Sequence, residues 1–510
     1  MASYLIAHDL GTSGDKATLF SEDGRLIRSC TETYPTNIFH SVWAEQSPLD
    51  WWQAFCRATR RLLEGIAPED VAAVAFSGQM MGCVLVDHAG EPLGSSIIWC
   101  DQRAQRQTQQ LSERIPPWQF YQITGHPLSC SYSLEKLMWV RDCQPERYRS
   151  ACKMLLPKDY LVFRLTGQLY TDYSDASGTN CFDLKRLCWS QEILDAAEIS
   201  PALMPQAMPS THVAGGILPD AAAQCGLIAG TRVVLGGGDG VCASVGAGSV
   251  ADDAAYNYLG SSSWISYTAD EPLMDEQMRT FNWAHIVPGK YAPTGTMQAA
   301  GNSYQYLSGL LYEQQADDAL HPLIDREISA SPLGAGKLLY LPYLLGERSP
   351  RWNPDARGAF VGLTMEHTRG DIMRACAEGV GMNLALILDI FRQHASITKL
   401  TLLGGLAGSP QICRILCDLY GVPVQRLTLL HEATSMGAAV TAGVGVGLLQ
   451  DFRQVDRFLS WEPAIQPDPV NGGCYKHLKE VFDEAYTALE RIYSRLASLD
   501  MPKRTDSAEK

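Results

Sequence analysis

The sequence predicts an α/β protein built from two large domains, and three observations lead to that prediction. The chain has 510 residues, which is too long for a single hydrophobic core. Short apolar runs typical of buried strands alternate with helical patterns along most of its length. A unit of strand, glycine- and hydroxyl-rich turn and second strand occurs over residues 4–20 and again over residues 254–267, which indicates an internal duplication.

The composition excludes several classes of function. The net charge is −15, so we expect neither nucleic acid nor an anionic membrane as the main partner, because both are bound by basic surfaces. No apolar run reaches the roughly 18 residues of a membrane-spanning helix, and the N-terminus lacks the basic start of a signal peptide. The 15 cysteines form no CxxC pair, so we expect free thiols in a reducing, cytoplasmic compartment.

The first unit places a carboxylate, Asp9, at the end of a strand predicted over residues 4–7. The turn beyond it contains Gly11, Thr12 and Ser13, followed by Lys16. Backbone N–H groups of such a turn converge on an anion, and a carboxylate beside them can hold Mg²⁺. The unit therefore suits a phosphate site, and an ordinary hairpin with a polar loop is the alternative.

Side chains suited to a polyol occupy the loops that follow. Ser47 and Pro48 predict the start of a helix, and residues 71–76 predict a buried strand. The loops after this strand carry Gln79, Trp99, Asp101 and Arg103. Amide, indole and charged groups of this kind hydrogen-bond to polyols and stack on them. For Asp101 and Arg103 the alternative is a local salt bridge.

The central stretch carries a second carboxylate at the end of a strand. A branched apolar run over residues 232–235 predicts that strand, and a glycine-rich turn leads from it to Asp239. A lone carboxylate in this setting suits a general base or a metal ligand, and a tight turn with a solvated aspartate is the alternative. Residues 105–200, before this stretch, are predicted to be mainly helical, with a polar loop over residues 171–179.

The second half repeats the phosphate-type turn and adds a nucleotide-type one. Residues 260–262, Gly-Ser-Ser, form the turn of the second unit. A strand over residues 400–403 leads into glycines 404–405 and then into a helix over residues 410–420, an arrangement typical of nucleotide sites. A final amphipathic helix is predicted over residues 475–496.

Three such turns with two strand-end carboxylates, and no candidate covalent triad, favour phosphoryl transfer. That chemistry needs charge neutralisation along a triphosphate, a base for the attacking hydroxyl and exclusion of water. Asp9 would serve Mg²⁺ and phosphate, and Asp239 would take the proton. The turns would hold the phosphates.

These motifs, taken in order, resemble the FGGY family of carbohydrate kinases, within the sugar kinase, heat-shock-70 and actin fold. The resemblance runs from residue 4 to about residue 447 and is carried by residues 9–13, 43–46, 51–52, 77–80, 99–103, 237–240, 260–262, 358–363, 371, 404–405 and 437–439. It implies two actin-like, ribonuclease-H-like domains around a cleft. It also implies ATP and Mg²⁺ as cofactors and a small sugar as acceptor.

The resemblance implies a role for each matching residue. Asp239 matches the catalytic base, and Asp9 with Asp239 matches the metal side. The nucleotide and phosphate side is matched by Gly11, Thr12, Ser13, Lys16, Gly260, Ser261, Ser262, Gly404, Gly405, Ser409 and Met436. The sugar side is matched by Gln79, Met80, Met81, Trp99, Asp101, Arg103 and Gly240. The implied domains are residues 1–247, with the sugar site and the base, and residues 248–510, with the nucleotide site; the last helix packs either there or back on the first domain.

Two positions depart from the xylulokinase pattern, which is the most similar within the family. Xylulokinases commonly carry His where this chain has Met81, and Asn where it has Gly240. A hydrogen-bonding group lost beside the sugar changes which hydroxyl pattern is accepted. Phosphorylation of a primary hydroxyl of D-xylulose is the first hypothesis. Another ketose, polyol or polyhydroxy signal molecule as acceptor is the second, and a nucleotide-binding sensor without turnover is the third. A homodimer is left open.

Overall fold

Two mixed β-sheets, one from each half of the chain, form the framework of the computed structural model, which describes residues 3–40, 42–312 and 317–500. The strands of the first half are β1 (Tyr4–Leu10), β2 (Gly14–Ser21), β3 (Leu26–Thr33), β4 (Asn37–Phe39), β5 (Trp43–Gln46), β6 (Val71–Gly78), β7 (Val84–Val86), β8 (Ser96–Ile97), β9 (Lys153–Leu155), β10 (Tyr170–Asp172), β11 (Phe182–Asp183), β12 (Cys188–Trp189), β13 (Gln206–Met208), β14 (Val213–Gly216), β15 (Arg232–Val234) and β16 (Gly237–Gly238). Its helices are α1 (Pro48–Leu62), α2 (Gln105–Arg114), α3 (Pro117–Thr124), α4 (Ser133–Cys143), α5 (Pro145–Ser150), α6 (Pro157–Thr166), α7 (Tyr173–Ser177), α8 (Gln191–Ala197), α9 (Pro219–Cys225) and α10 (Asp239–Gly246), with short 3-10 helices at Pro68–Asp70 and Pro201–Leu203.

The second half has fewer and longer elements. Its strands are β17 (Ala255–Leu259), β18 (Ser263–Tyr267), β19 (Phe281–Ala284), β20 (Tyr291–Met297), β21 (Leu339–Leu341), β22 (Ala359–Val361), β23 (Leu400–Leu403) and β24 (Val424–Arg426). Its helices are α11 (Gly301–Leu311), α12 (Asp317–Ala330), α13 (Arg369–Phe391), α14 (Pro410–Tyr420), α15 (Ala433–Gly445) and α16 (Pro469–Ala497), with 3-10 helices at Gly405–Gly408 and Phe452–Arg457. The predicted α/β class is confirmed.

The two sheets share a central arrangement. In the first, the order is β14-β15-β6-β1-β2-β3, and β1 pairs antiparallel with β2 and parallel with β6. In the second, the order is β19-β20-β18-β17-β23-β24, and β17 pairs antiparallel with β18 and parallel with β23. Each sheet is thus organised around a hairpin whose first strand has a parallel neighbour, in agreement with the internal duplication.

Local signals explain where several helices begin. Ser47 caps α1 by accepting a hydrogen bond from the Asp50 N–H at 3.4 Å, and Pro48 occupies the first helical position, as predicted. Ser409 caps α14 in the same way, accepting from the Ile412 N–H at 3.1 Å. The predicted helix over residues 410–420 is confirmed.

A third core joins the two halves beneath the cleft between them. Helices α10 and α15 cross there at close range, because a Cβ at Gly437 would lie 2.0 Å from the carbonyl oxygen of Cys242. The small residues of α15 therefore let its backbone pack against α10 and against strands β1 and β6. Although α15 comes late in the chain, it brings its first residues to the end of β1.

The last helix, α16, packs on the second half. It contacts α13, α14 and β21, and the Tyr475 hydroxyl donates to the Glu378 carboxylate at 2.8 Å. These contacts place the helix on elements of the second half of the chain. The domain boundary between residues 247 and 248 stays a prediction.

Candidate active site

The strand register brings the two predicted carboxylates to one edge of the first sheet. Strand β6 lies between β1 and β16 and runs parallel to both. Asp9 pairs with Ser77, and Gly238 pairs with Gly78, so the segments after β6 and β16 leave the sheet side by side. Ligands bind beyond the carboxyl ends of such strands. Asp9, Gln79 and Asp239 therefore lie at the same edge of this sheet.

Asp239 begins helix α10 at the floor of the cleft and remains partly exposed. Its Oδ1 accepts a hydrogen bond from the Gly240 N–H at 2.7 Å. Burial, and secondarily the charge of Asp9, raise the pKa of Asp239 to about 7. A carboxylate whose pKa is close to neutral can accept a proton from a substrate hydroxyl and release it afterwards.

Asp9 is held by hydroxyl groups from both halves of the chain. The Ser77 hydroxyl donates to Oδ1 at 2.8 Å, and the Thr434 hydroxyl, near the start of α15, donates to Oδ2 at 2.6 Å. Burial raises the pKa of Asp9, and these two hydrogen bonds oppose the rise by stabilising the charged form. The contact with Thr434 spans the two halves at the bottom of the cleft.

The first turn, residues 11–13, is fixed by side chains from the wall of the cleft. The Thr12 hydroxyl accepts from the Trp99 indole at 2.8 Å, and the Thr12 carbonyl accepts from the Gln46 amide at 2.6 Å. Ser13 is exposed at the tip. Lys16 is not directed at the turn in this structure: its Nζ donates to the His431 carbonyl at 2.6 Å, across the cleft, with Glu432 Oε1 at 3.4 Å.

The predicted sugar side is built on buried groups next to Asp239. The Gln79 amide nitrogen donates to Gln46 Oε1 at 2.7 Å. The other side-chain atom, Gln79 Oε1, is buried and has no partner among the described residues. Met80 is 4% exposed, and it packs where a Cβ on Gly238 would lie. Met81 has a φ of 61°, and its carbonyl accepts from the buried Lys136 ammonium at 2.7 Å.

Asp101 and Arg103 correct one expectation. Both are buried, and the Arg103 Nη2 donates to Asp101 Oδ2 at 2.7 Å while its Nη1 donates to Glu45 at 2.7 Å. The guanidinium lies 4.1 Å from the Trp43 ring centroid. Because the guanidinium and both oxygens of Asp101 are engaged within the protein, this pair supports the wall from behind and presents no free group to a sugar. The salt bridge, which was the alternative, is what the structure contains.

The second turn, residues 260–262, is held by backbone groups. The Gly260 carbonyl accepts from the Gly301 N–H at 2.9 Å, and the Ser261 carbonyl accepts from the N–H groups of Ala300 and Asn302, each at 3.0 Å. Ser261 is exposed, and Ser262 is partly exposed. The start of α11 therefore fixes the turn while its hydroxyls stay accessible.

The residues predicted to bind the nucleotide follow β23, which runs parallel to β17, so they lie at the same edge of the second sheet as the second turn. Gly404 has a φ of 85°, and a Cβ there would lie 2.7 Å from the Leu259 carbonyl oxygen, so this position requires glycine. A Cβ at Gly405 would meet only His431 Cε1, at 4.0 Å, and the Ser409 hydroxyl donates to Asp325. Met436 differs from its expected role: it is 1% exposed in the core beneath the cleft, because α15 packs that face on β1 and β6. Its side chain is not presented to a nucleotide.

A buried charged group that is linked to the Asp239 segment was not predicted from the sequence. The Lys158 ammonium lies 2.6 Å from Asp159, 2.8 Å from Asp172 and 3.4 Å from Asp175, and all four side chains are fully buried. Within residues 171–179, which were predicted as a polar loop, residues 171–177 instead belong to β10 and the short helix α7.

This charged group is connected to the segment that contains Asp239 through Ser174. The Ser174 hydroxyl donates to Asp172 and accepts from the Gly238 N–H at 3.1 Å, directly before Asp239. Asp172 also accepts from the Ser174 N–H at 2.9 Å and from the Ser210 hydroxyl at 2.7 Å. The lysine and its carboxylates thus hold the segment that carries Asp239. No local pattern in the sequence indicated this connection.

Comparison with protein families covers most of the chain. Residues 4–246 match the N-terminal domain of the FGGY family of carbohydrate kinases, and residues 255–446 match its C-terminal domain. The chain is 33% identical to the xylulose kinase of Escherichia coli strain K12 over 487 residues, which is 95% of this chain and 99% of that one.

Two crystal structures from Lactobacillus acidophilus have the same fold. A gluconate kinase matches with a TM-score of 0.91 and 28% identity, and a ligand-bound xylulose kinase with a TM-score of 0.90 and 27% identity. In each case the match covers 97% of this chain and 100% of the other. The predicted two-domain sugar kinase fold is confirmed. In the ranges that the structure describes, no helix combines the length and the apolar character needed to span a bilayer.

Proposed function

The chain belongs to the FGGY family of carbohydrate kinases, and from that premise we propose that it transfers the γ-phosphate of ATP to a primary hydroxyl of D-xylulose, with Asp239 as the general base. The observation that carries this proposal is the position of Asp239 at the cleft with a pKa raised to about 7. A carboxylate of this kind contributes a rate enhancement of about 10²–10⁴-fold. The sugar phosphotransferase activity is that of the family; the acceptor and the residue roles are proposed here.

In the proposed reaction the acceptor hydroxyl lies beside Asp239. Its oxygen attacks the γ-phosphorus, its proton passes to Asp239, and ADP leaves with the electrons of the broken P–O bond. The hydroxyls of Ser13, Ser261 and Ser262, which are exposed or partly exposed, meet the phosphates. Closure of the two halves, whose contacts include Thr434 with Asp9, excludes water from the site.

The residues present suit Mg²⁺. Asp9 and Asp239 lie close enough for one charge to raise the pKa of the other, and Mg²⁺ in kinase sites is held by one or two carboxylates together with substrate phosphates. No group of three potential ligand side chains forms among the described residues, so the phosphates would have to complete the coordination. Bound there, Mg²⁺ would neutralise charge on the phosphates.

A gluconate-type acceptor is the second candidate, and one cation favours it. Arg348 is only partly buried, its guanidinium lies 5.3 Å from the Phe281 ring centroid, and its Nη2 lies 3.4 Å from the Tyr132 hydroxyl. Phe281 and Tyr132 belong to the core that also contains Met80 and Met81. A carboxylate at the far end of an acceptor would meet this guanidinium. One observation argues against a gluconate-type acceptor: the charged group that most raises the pKa of Asp239 is the carboxylate of Asp9, and two carboxylates disfavour a further negative charge beside them.

An acceptor panel tests the proposal. ADP release is measured with D-xylulose, other ketoses, pentitols and gluconate, on the wild type, Asp239→Asn and Arg348→Met. We expect the highest kcat/KM with D-xylulose, loss of turnover in Asp239→Asn, and little effect of Arg348→Met. Preference for gluconate that disappears in Arg348→Met would select the second candidate. Nucleotide binding with no acceptor-stimulated ADP release would indicate a sensor instead.

A further inference from the structure

The indole of Trp283 reaches the acceptor side of the cleft from the second half of the chain. It lies on β19, is 6% exposed, and packs against the His126 ring with centroids 4.5 Å apart. A Cβ on Gly178 would lie 2.9 Å from its ring and 3.1 Å from Met80. The ring is therefore fixed in the wall that also contains the predicted sugar residues.

The Trp283 N–H donates to no group in the part of the chain that the structure describes. Three indoles elsewhere in the described residues do find acceptors: that of Trp99 donates to Thr12 at 2.8 Å, that of Trp264 to Tyr256 at 2.8 Å and that of Trp189 to the Pro205 carbonyl at 2.7 Å. Although Trp283 as a whole is 6% exposed, its Nε1 is not among the buried unpartnered atoms of the described residues, so this nitrogen is open to the cleft and is available to a ligand. A bound ligand would supply an acceptor.

Gly240 shows where that ligand atom would lie. The nearest atom to a Cβ at Gly240 would be Trp283 Nε1, at 3.9 Å. Because Gly240 directly follows Asp239, this space adjoins the base. A side chain at position 240 would fill the space. The absence of a side chain leaves this space open beside the indole nitrogen.

We propose that Trp283 determines acceptor specificity by donating a hydrogen bond to a second oxygen of the acceptor, close to the carbon that is phosphorylated. This inference rests on the proposed function, since it assigns the attacking hydroxyl to Asp239. Gln79 Oε1, buried without a partner among the described residues, complements it as an acceptor of hydrogen bonds. The site thus selects a polyhydroxy chain with an oxygen beside the reacting end.

The test compares Trp283→Phe with the wild type on the best acceptor and on its monodeoxy analogues. Phenylalanine keeps a ring in the wall and removes the N–H. We expect KM for the acceptor to rise about tenfold, the equivalent of one hydrogen bond, while KM for ATP stays unchanged. The difference in KM between Trp283→Phe and the wild type should disappear for the one analogue that lacks the contacted oxygen. An unchanged acceptor KM, or an equal penalty on every analogue, overturns the proposal.

Two controls separate this outcome from other failures. Trp189→Phe removes an indole that is satisfied by a backbone carbonyl, and it should leave the acceptor KM unchanged. Gly240→Asn fills the space beside the indole, and if it leaves the acceptor KM unchanged the assigned position is wrong. Calorimetric binding of the acceptor to both Trp283 forms needs no turnover. This measurement therefore tests the role of Trp283 even if the wild type phosphorylates no acceptor. Absence of phosphorylation would refute only the proposed function.

Discussion

The first and second turns have similar sequences but are held by different means. In the first turn, residues 11–13, side chains provide the support: Trp99 and Gln46 both donate to Thr12. In the second turn, residues 260–262, backbone N–H groups at the start of α11 bind the carbonyls. Both units place hydroxyl groups at the tip of a hairpin, so sequence similarity alone does not distinguish them.

The difference has a functional meaning. The side chains that fix the first turn also form the wall of the predicted sugar site, since Gln46 accepts from Gln79. The first turn can therefore couple acceptor binding to phosphate binding. The second turn is tied to the start of a helix in its own half, so changes there should affect the nucleotide alone.

Among substitutions in or beside the two turns, the largest effect is expected from Gly301→Ala, which breaks the backbone support of the second turn. A Cβ at this position would lie 2.5 Å from the Gly260 carbonyl oxygen, so the turn must move. Overpacking of this kind costs about 1–3 kcal/mol. We expect a lower midpoint in thermal unfolding and a KM for ATP raised at least tenfold, with the acceptor KM nearly unchanged. Gly309→Ala is the matched control, because nothing lies within 4 Å of a Cβ there. Equal effects of the two substitutions would show that the contact with Gly260 is unimportant.

A smaller but broader effect is expected from Thr12→Val. Valine keeps the shape and leaves the Trp99 indole without its acceptor, a loss of about 1 kcal/mol. We expect both KM values, for acceptor and for ATP, to rise several-fold in steady-state assays, because the first turn borders both sites. Thr12→Ser retains the hydroxyl and should behave as the wild type. A change in KM for ATP alone would contradict the coupling.

The smallest effect is expected from Ser261→Ala. Ser261 is exposed, so the free energy of unfolding should change by no more than about 0.5 kcal/mol. The KM for ATP should rise a few-fold if the hydroxyl meets a phosphate. Ser263→Ala supplies the contrast, since its buried hydroxyl donates to the Tyr258 carbonyl at 2.6 Å and should affect stability instead. Wild-type kinetics in Ser261→Ala would remove this hydroxyl from the phosphate site.

Local chemistry made much of the framework predictable. Ser47 with Pro48, and Ser409 with Pro410, mark helix starts through contacts within a few residues. The charged group around Lys158 was not predictable in this way, because Asp172 and Asp175 look like solvated loop residues until a lysine from another helix lies among them. The burial of Met436 and the salt bridge between Asp101 and Arg103 were not predictable for the same reason, because the surroundings of these residues are set by tertiary packing.

The pH dependence of kcat/KM tests the role of Asp239 most directly. A general base must be ionised, and burial together with Asp9 raises the pKa of Asp239 to about 7. The account predicts that the wild-type rate rises about tenfold per pH unit below pH 7 and levels off above it. Asp239→Asn should be slower by about 10²–10⁴-fold with no such rise, and the exposed-site control Asp220→Asn should match the wild type. A wild-type profile that is flat between about pH 5.5 and 8, or an Asp239→Asn enzyme with the wild-type rate and profile, would contradict the account.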